Sequence, residues 1–290
     1  MANAKGFFAE AGLEVEIEPG RAGDYNHTAI RSGKAQFTVV DAAGALVRYG
    51  KAEDPDTTFQ IVGAVHQSTP LSIVSLQEAG ITTPRSLEGR TLATVKGAAP
   101  AALFPAYARL AGIDEKKIRW QYGQASGLNT LLASGRVDGI GIFLFGKPGV
   151  EDAAANRPAS VLPYSDYLRD LFGGVVVVQK ELVAKDPDLV RRFTAALFKG
   201  AAYAVDHPGE AGGILAQAVP GQDAKLAAAE LTLMRNYVIP ASGAPVGAIG
   251  EERMVRGVGV LQAAGLLPDG SAASLAGQVV NFDIVGGGVR

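Results

Sequence analysis

GFFAEAGLEVEIEPGRAGDYNHTAIRSGKAQFTVVDA, residues 6–42, and FPAYARLAGIDEKKIRWQYGQASGLNTLLASGRVDGIGIFLF, residues 104–145, are written to one plan. Each runs helix tail, Ala-Gly-Leu or Ala-Gly-Ile, strand, short helix, Ser-Gly-Lys or Ser-Gly-Arg, strand. Gly12 and Gly112 stand where the first helix ends, and Gly33 and Gly135 where the second ends. A helix stop in the left-handed conformation favours glycine, which carries no Cβ to clash. A repeated α/β unit predicts two similar lobes, and two lobes predict a cleft that holds a ligand.

The copies differ at their beginnings. The second is preceded by a strand and glycine turn, Thr91-Leu-Ala-Thr-Val-Lys-Gly97, feeding a helix through Pro105 to Leu110. The first starts inside the equivalent helix, with Phe7 and Phe8 close to Met1. By the logic of the repeat, the first strand of lobe one and its loop are absent.

Composition narrows the classes. The 290 residues carry a formal net charge of −2 with both signs interspersed, so no basic face for nucleic acid is expected. No apolar run approaches the roughly 20 residues of a membrane-spanning helix. With no cysteine there is no disulfide, thiolate metal site or cysteine nucleophile, and the three histidines, His27, His66 and His207, are scattered. Neither a metal nor a cofactor is expected. No signal peptide is legible after Met1. The expected location is periplasmic, or extracellular and membrane-anchored, in the native form, and cytoplasmic if Met1 is the true start.

Further along, Glu14–Glu18 alternates like a half-exposed strand and Phe37–Val40 reads as a buried one. Phe59–Val65 and Leu71–Leu76 are β-rich, and Val175–Val178 can hardly be anything but a buried strand. Asp186-Pro187 is a cap-plus-proline start for a long helix closed by Pro208. Strands alternating with helices predict α/β architecture with mainly parallel sheets. With Leu71–Leu76 and Val175–Val178 as crossovers, residues 1–76 plus 179–290 form lobe one. Residues 77–178 form an inserted lobe two.

These segments carry a family resemblance. Gly6-Phe-Phe-Ala-Glu-Ala-Gly-Leu13, Ser32-Gly-Lys-Ala-Gln-Phe37, Leu87-Glu-Gly-Arg-Thr91, Ser134-Gly-Arg-Val-Asp138 and Lys185-Asp-Pro-Asp-Leu-Val-Arg-Arg-Phe193 follow one another in a familiar order. The chain resembles the solute-binding proteins of ABC importers for nitrate, sulfonates, taurine and thiamine-pyrimidine precursors. The resemblance implies a type II periplasmic-binding fold, one small ligand between lobes, a monomer, and delivery to membrane permease and ATPase subunits. It also covers enzymes, a pyrimidine synthase with a cysteine-rich motif and a cofactor-linked lysine, and a desulfinase with a cysteine nucleophile. Neither chemistry transfers, because cysteine is absent and Val40-Asp41 stands where the lysine is expected.

In doubly wound sheets ligands sit beyond the carboxyl ends of strands. That rule selects Tyr25 and Asn26 in the loop from Gly20, which also holds Arg21. It selects Asp41 and Ala42 after Phe37–Val40, and His66, Gln67 and Ser68 after Phe59–Val65. In lobe two it selects Lys96, Gly97, Ala98 and Gln124, with Phe145 favoured over Phe143 as the ring that stacks on ligand. Asp41 could fix an amine or cap the next helix. Nucleophile-elbow, phosphate-loop and zincin motifs are absent, and Gly257-Val-Gly259 lacks a third glycine, so a non-catalytic protein is expected. A carboxylate and aromatic rings with few cations favour a thiamine-pyrimidine-like heterocycle over a sulfonate or nitrate-type anion. The rival reading is a cytosolic enzyme acting on a small aromatic or sulfur compound, with His27 and His66 as acid–base groups.

Overall fold

The computed structural model describes residues 1–20, 25–51 and 58–285. The chain divides into two compact units, one of Met1–Ser68 with Asp170–Arg290 and the other of Thr69–Arg169. Both boundaries fall earlier than the sequence placed them at 76/77 and 178/179. Strand pairing is the reason. Leu71–Leu76 is hydrogen-bonded into the second unit's sheet, and Gly174–Gln179 into the first's.

Unit one holds β1 (Phe37–Asp41), β2 (Phe59–Ala64) and, late in the chain, Gly174–Gln179. Unit two holds β3 (Leu71–Leu76), β4 (Thr91–Thr94), β5 (Arg119–Tyr122), β6 (Gly139–Phe143) and β7 (Ala159–Pro163). The late strand of unit one is β8. The sheets run β1-β8-β2 and β5-β4-β6-β3-β7. Neither is mainly parallel: every pairing in the first is antiparallel, and the second is mixed. β8 is antiparallel to both its neighbours, as is β3, and only β4 pairs parallel, with β5 and β6. Periodicity reports which faces are buried and is silent on strand direction.

Local signals translate directly. Gly12, Gly33, Gly112 and Gly135 have φ of 68°, 74°, 68° and 70°, in the left-handed region. Val175 to Val178 are fully buried, since β8 is the central strand. The helix Pro187–Asp206 starts where Asp186 accepts a hydrogen bond from the Leu189 amide at 2.9 Å. Asp186→Ala should therefore cost about 1 kcal/mol, read as a shifted urea midpoint at unchanged slope. A change below a few tenths would mean that the cap carries nothing.

One expected strand is not one. Leu13 to Gly20 takes no regular secondary structure, and residues 14–20 form no backbone–backbone hydrogen bond to any described residue. An alternating pattern makes a strand only when a neighbour supplies the ladder. No helix among the described residues is long and apolar enough to cross a membrane.

Candidate functional site

In unit one the strand ends gather several candidates around Gly173-Gly174. Asp41 lies opposite Gly174 in the β1–β8 register, and the Ala42 amide donates to the Gly173 carbonyl at 2.8 Å. The Gly174 amide donates to His66 Nδ1 at 3.1 Å, while the Gly173 amide donates to the His66 carbonyl at 3.1 Å. Asn26, in the helix Tyr25–Arg31, donates through Nδ2 to the Val39 carbonyl at 3.1 Å, two residues before Asp41. Gly174 leaves little room for a side chain, because a Cβ there would lie 3.1 Å from His66 Nδ1 and 3.2 Å from Val39 Cγ1.

Asp41 plays two parts. Its Oδ1 accepts from the Gly44 amide at 3.0 Å and so caps the helix Ala42–Lys51. Its Oδ2 is shielded from solvent and has no hydrogen-bond partner among the described residues. Burial pushes its pKa up to about 6, against two backbone amides that pull it down. An acceptor in that condition is costly unless something donates to it.

His66 is buried, and desolvation pushes its pKa down to about 4, so at neutral pH it is an uncharged acceptor for Gly174. That suits a structural post better than an acid–base catalyst. Gln67 is also committed to the fold: its amide donates to the Tyr237 carbonyl at 2.5 Å and its Nε2 to the Ala248 carbonyl at 3.1 Å. Tyr25 accepts at its hydroxyl from Lys34 Nζ at 3.0 Å, and Ser68 is half-buried. Residues 21–24, with Arg21, lie outside the described residues.

In unit two, Lys96 and Gly97 are exposed, and Ala98 starts the helix Ala99–Ala111 without a side-chain cap. The Gly123 amide donates to the Thr94 carbonyl at 3.0 Å, which draws Gln124 to the same sheet end as Lys96–Ala98. That end carries the carboxyl termini of the parallel strands β4 and β5. Phe145 corrects the expectation. A 3-10 turn, Leu144–Gly146, follows β6 and buries Phe145, whereas Phe143 stays 39% exposed. The sequence favours Phe145 because it lies nearer the loop, but β6 ends at Phe143 and the turn that follows carries Phe145 under cover. The two rings touch at a centroid distance of 5.4 Å, so Phe143 is the one available for stacking.

The sequence profile described as NMT1/THI5 like matches residues 1–211. The chain belongs to the NMT1/THI5-like family. A relative from Legionella pneumophila, named 4-amino-5-hydroxymethyl-2-methylpyrimidine phosphate synthase, is 26% identical over 231 residues, covering 76% of this chain and 68% of that protein. Among solved structures, the periplasmic nitrate-binding protein NrtA of Synechocystis superposes with a TM-score of 0.73 at 11% identity, covering 98% of this chain and 82% of that one. The alkanesulfonate-binding protein SsuA of Xanthomonas axonopodis pv. citri, bound to MOPS, gives a TM-score of 0.65 at 18% identity, with coverage of 90% and 85%. These likenesses establish the periplasmic-binding-protein fold.

The structure brings beside these candidates a residue that the sequence did not flag. Arg253, in the helix Glu251–Ala263, lays its guanidinium 4.3 Å from the Phe172 ring centroid and donates to the Gln67 carbonyl. It places a cation beside the His66 loop, almost two hundred residues away in sequence. No motif surrounds it, so only the fold could reveal it. The same helix contains Gly257 and Gly259, which rules out a strand–turn–helix dinucleotide loop there.

Proposed function

We propose that this chain is the solute-binding component of an ABC importer, taking one small organic ligand whose donor group meets Asp41. The observation that carries the proposal is Asp41 Oδ2, a buried acceptor at the carboxyl end of β1 with no hydrogen-bond partner among the described residues. An amine or protonated ring nitrogen would supply the missing donor and hold the carboxylate ionised. An anion would meet like charge instead, since the nearby Arg253 already contacts Gln67 and Phe172. The reading therefore favours an aminopyrimidine of thiamine-precursor size over a sulfonate or nitrate. The Legionella relative's name supports that class, and the names of NrtA and SsuA support a binding protein. The partners in this reading are a membrane permease and its ATPase, and the working location is periplasmic or at the outer face of the membrane.

Calorimetry at pH 8 tests it, with 4-amino-5-hydroxymethyl-2-methylpyrimidine and an alkanesulfonate, on the native chain and on Asp41→Ala. The expected result is aminopyrimidine binding that weakens at least about tenfold in Asp41→Ala, the value of one charge-assisted hydrogen bond. Tight sulfonate binding indifferent to Asp41→Ala would overturn the choice of ligand. An enzyme remains the second reading, because the Legionella relative is named a synthase. A new product seen by mass spectrometry after incubation with the aminopyrimidine or its precursors would favour it.

A further inference from the structure

His66 is built into the fold as an acceptor, and its partner Gly174 lies opposite Asp41. β8 is the central strand of unit one's sheet, between β1 and β2. Just past the end of β2, the Val65 and His66 amides both donate to the Gly174 carbonyl, at 2.8 and 3.1 Å. The Gly174 amide donates to the same side. A regular ladder would offer it a backbone carbonyl, but His66 Nδ1 takes that carbonyl's place at 3.1 Å. Glycine permits the close approach, because a Cβ at 174 would itself lie 3.1 Å from Nδ1.

Gly173 carries the connection on to β1. Its amide donates to the His66 carbonyl at 3.1 Å, and its carbonyl accepts from the Ala42 amide at 2.8 Å. One run of hydrogen bonds thus leads from His66 through Gly173–Gly174 to the residue after Asp41. The flanks of this run are anchored elsewhere. Gln67 donates through Nε2 to the Ala248 carbonyl at 3.1 Å. Arg253 donates to the Gln67 carbonyl and lies over the Phe172 ring.

The carboxylate at the end of this run has little latitude. Asp41 Oδ1 is fixed by the Gly44 amide, so the orientation of Oδ2 follows the backbone of β1. Oδ2 is buried without a hydrogen-bond partner among the described residues. A binding group of that kind works only when held within about 0.5 Å of its productive place. We infer that His66 is a positioning residue: through Gly173–Gly174 it sets where β1 ends, and so where Asp41 holds the oxygen that meets the ligand. The inference rests on the reading that Asp41 faces an amine. The role needs a neutral acceptor at the Nδ1 position and no acid or base. Asparagine meets that need, since its Oδ1 branches from Cγ as Nδ1 does, whereas leucine offers similar bulk and accepts nothing.

Two measurements on the native chain, His66→Asn and His66→Leu test this. Carbon-13 NMR titration of the Asp41 carboxyl, without ligand, reads whether the carboxyl stays in its buried seat. The midpoint is expected near 6 in the native chain and in His66→Asn, and lower by about one unit or more, toward 3.8, in His66→Leu. Calorimetry at pH 8 uses 4-amino-5-hydroxymethyl-2-methylpyrimidine as the probe. Affinity should stay within about threefold of native in His66→Asn and fall at least about tenfold in His66→Leu. A native chain that ignores this probe would sink the choice of ligand, while the NMR series would still decide the positioning role. An unchanged Asp41 midpoint in His66→Leu would overturn the inference, and so would His66→Asn behaving like His66→Leu. If His66→Leu does not fold, His66→Gln replaces it, with its acceptor one methylene further out. It should shift both readings in the same direction by less, and native values in it would overturn the inference.

Discussion

Asp41→Asn is expected to make the ligand-free protein more stable at pH 8, by on the order of 2–3 kcal/mol, while weakening its grip on an amine ligand. The sign follows from linkage. The carboxyl pKa is raised by burial from an ordinary 3.8 to about 6, so the folded state holds its proton more tightly than the unfolded state. That preference favours folding at low pH, and the advantage is lost as pH rises from about 4 through about 6. Above that window the ionised form carries its full cost, about 1.4 kcal/mol for each pKa unit. Asparagine keeps an oxygen for the Gly44 amide and never ionises. Native and variant curves should therefore converge near pH 4, separate as pH rises toward 6 and reach the full gap above it.

His66 contributes the opposite slope in the same window. Its pKa is lowered to about 4, so its stabilisation is complete above about 6.5 and is lost as pH falls toward 4. In the native chain the two slopes oppose one another. In Asp41→Asn the aspartate slope is gone, and the histidine slope should make stability fall on acidification below about pH 6.5. Urea titrations of both proteins from pH 4 to 8 read this out. A variant less stable than the native chain at pH 8 would show that Oδ2 has a donor in the fold, and the site reading built on it would go.

Gly247→Ala is expected to cost unit one about 3–5 kcal/mol. Gly247 has φ of +94°, and a Cβ there would lie 2.3 Å from Phe198 Cδ2. Gly63 meets the same ring, with its would-be Cβ 2.4 Å from Phe198 Cε2, so one aromatic ring lies between two bare backbones. The Gly247 carbonyl also accepts from the Ala64 amide at 2.9 Å, which pins the segment beside β2. An added methyl must either push that hydrogen bond apart or turn Phe198 out of its buried rotamer, and the backbone angle adds strain. Gly270→Ala, where nothing lies within 4 Å, is the control and should change stability by less than about 0.5 kcal/mol. Adding Phe198→Leu to Gly247→Ala should recover part of the loss by relieving the contact, while the backbone strain persists. Full tolerance of Gly247→Ala would mean that the ring and glycine are not in contact in solution.

What could be read from the chain alone is what depends on neighbours in sequence. The left-handed stops at Gly12, Gly33, Gly112 and Gly135, the Asp186 cap and the buried run Val175–Val178 follow from backbone freedom, hydrogen-bond supply and side-chain shape within a few residues. Their order also sufficed for the family and the two-unit plan. Asp41 was legible as a helix cap that could instead meet ligand, since both follow from a carboxylate at a strand end.

Tertiary structure decided whatever needs a partner far along the chain. Residues 14–18 have a strand's alternation yet form no ladder, because no described residue offers them a backbone edge to pair with. β3 and β8 run antiparallel to their neighbours, a property of pairing that alternation cannot encode. His66 became a post for Gly174 rather than an acid–base group because β8 brings that amide to its ring. Phe145 was buried and Phe143 left more open where the chain turns after β6, at a point where the Leu144 amide donates to the distant Pro70 carbonyl at 2.8 Å. Arg253 reached the His66 loop only through the fold. In each case the deciding energy is a contact across tens to hundreds of residues, made by groups whose local sequence carries no mark of it.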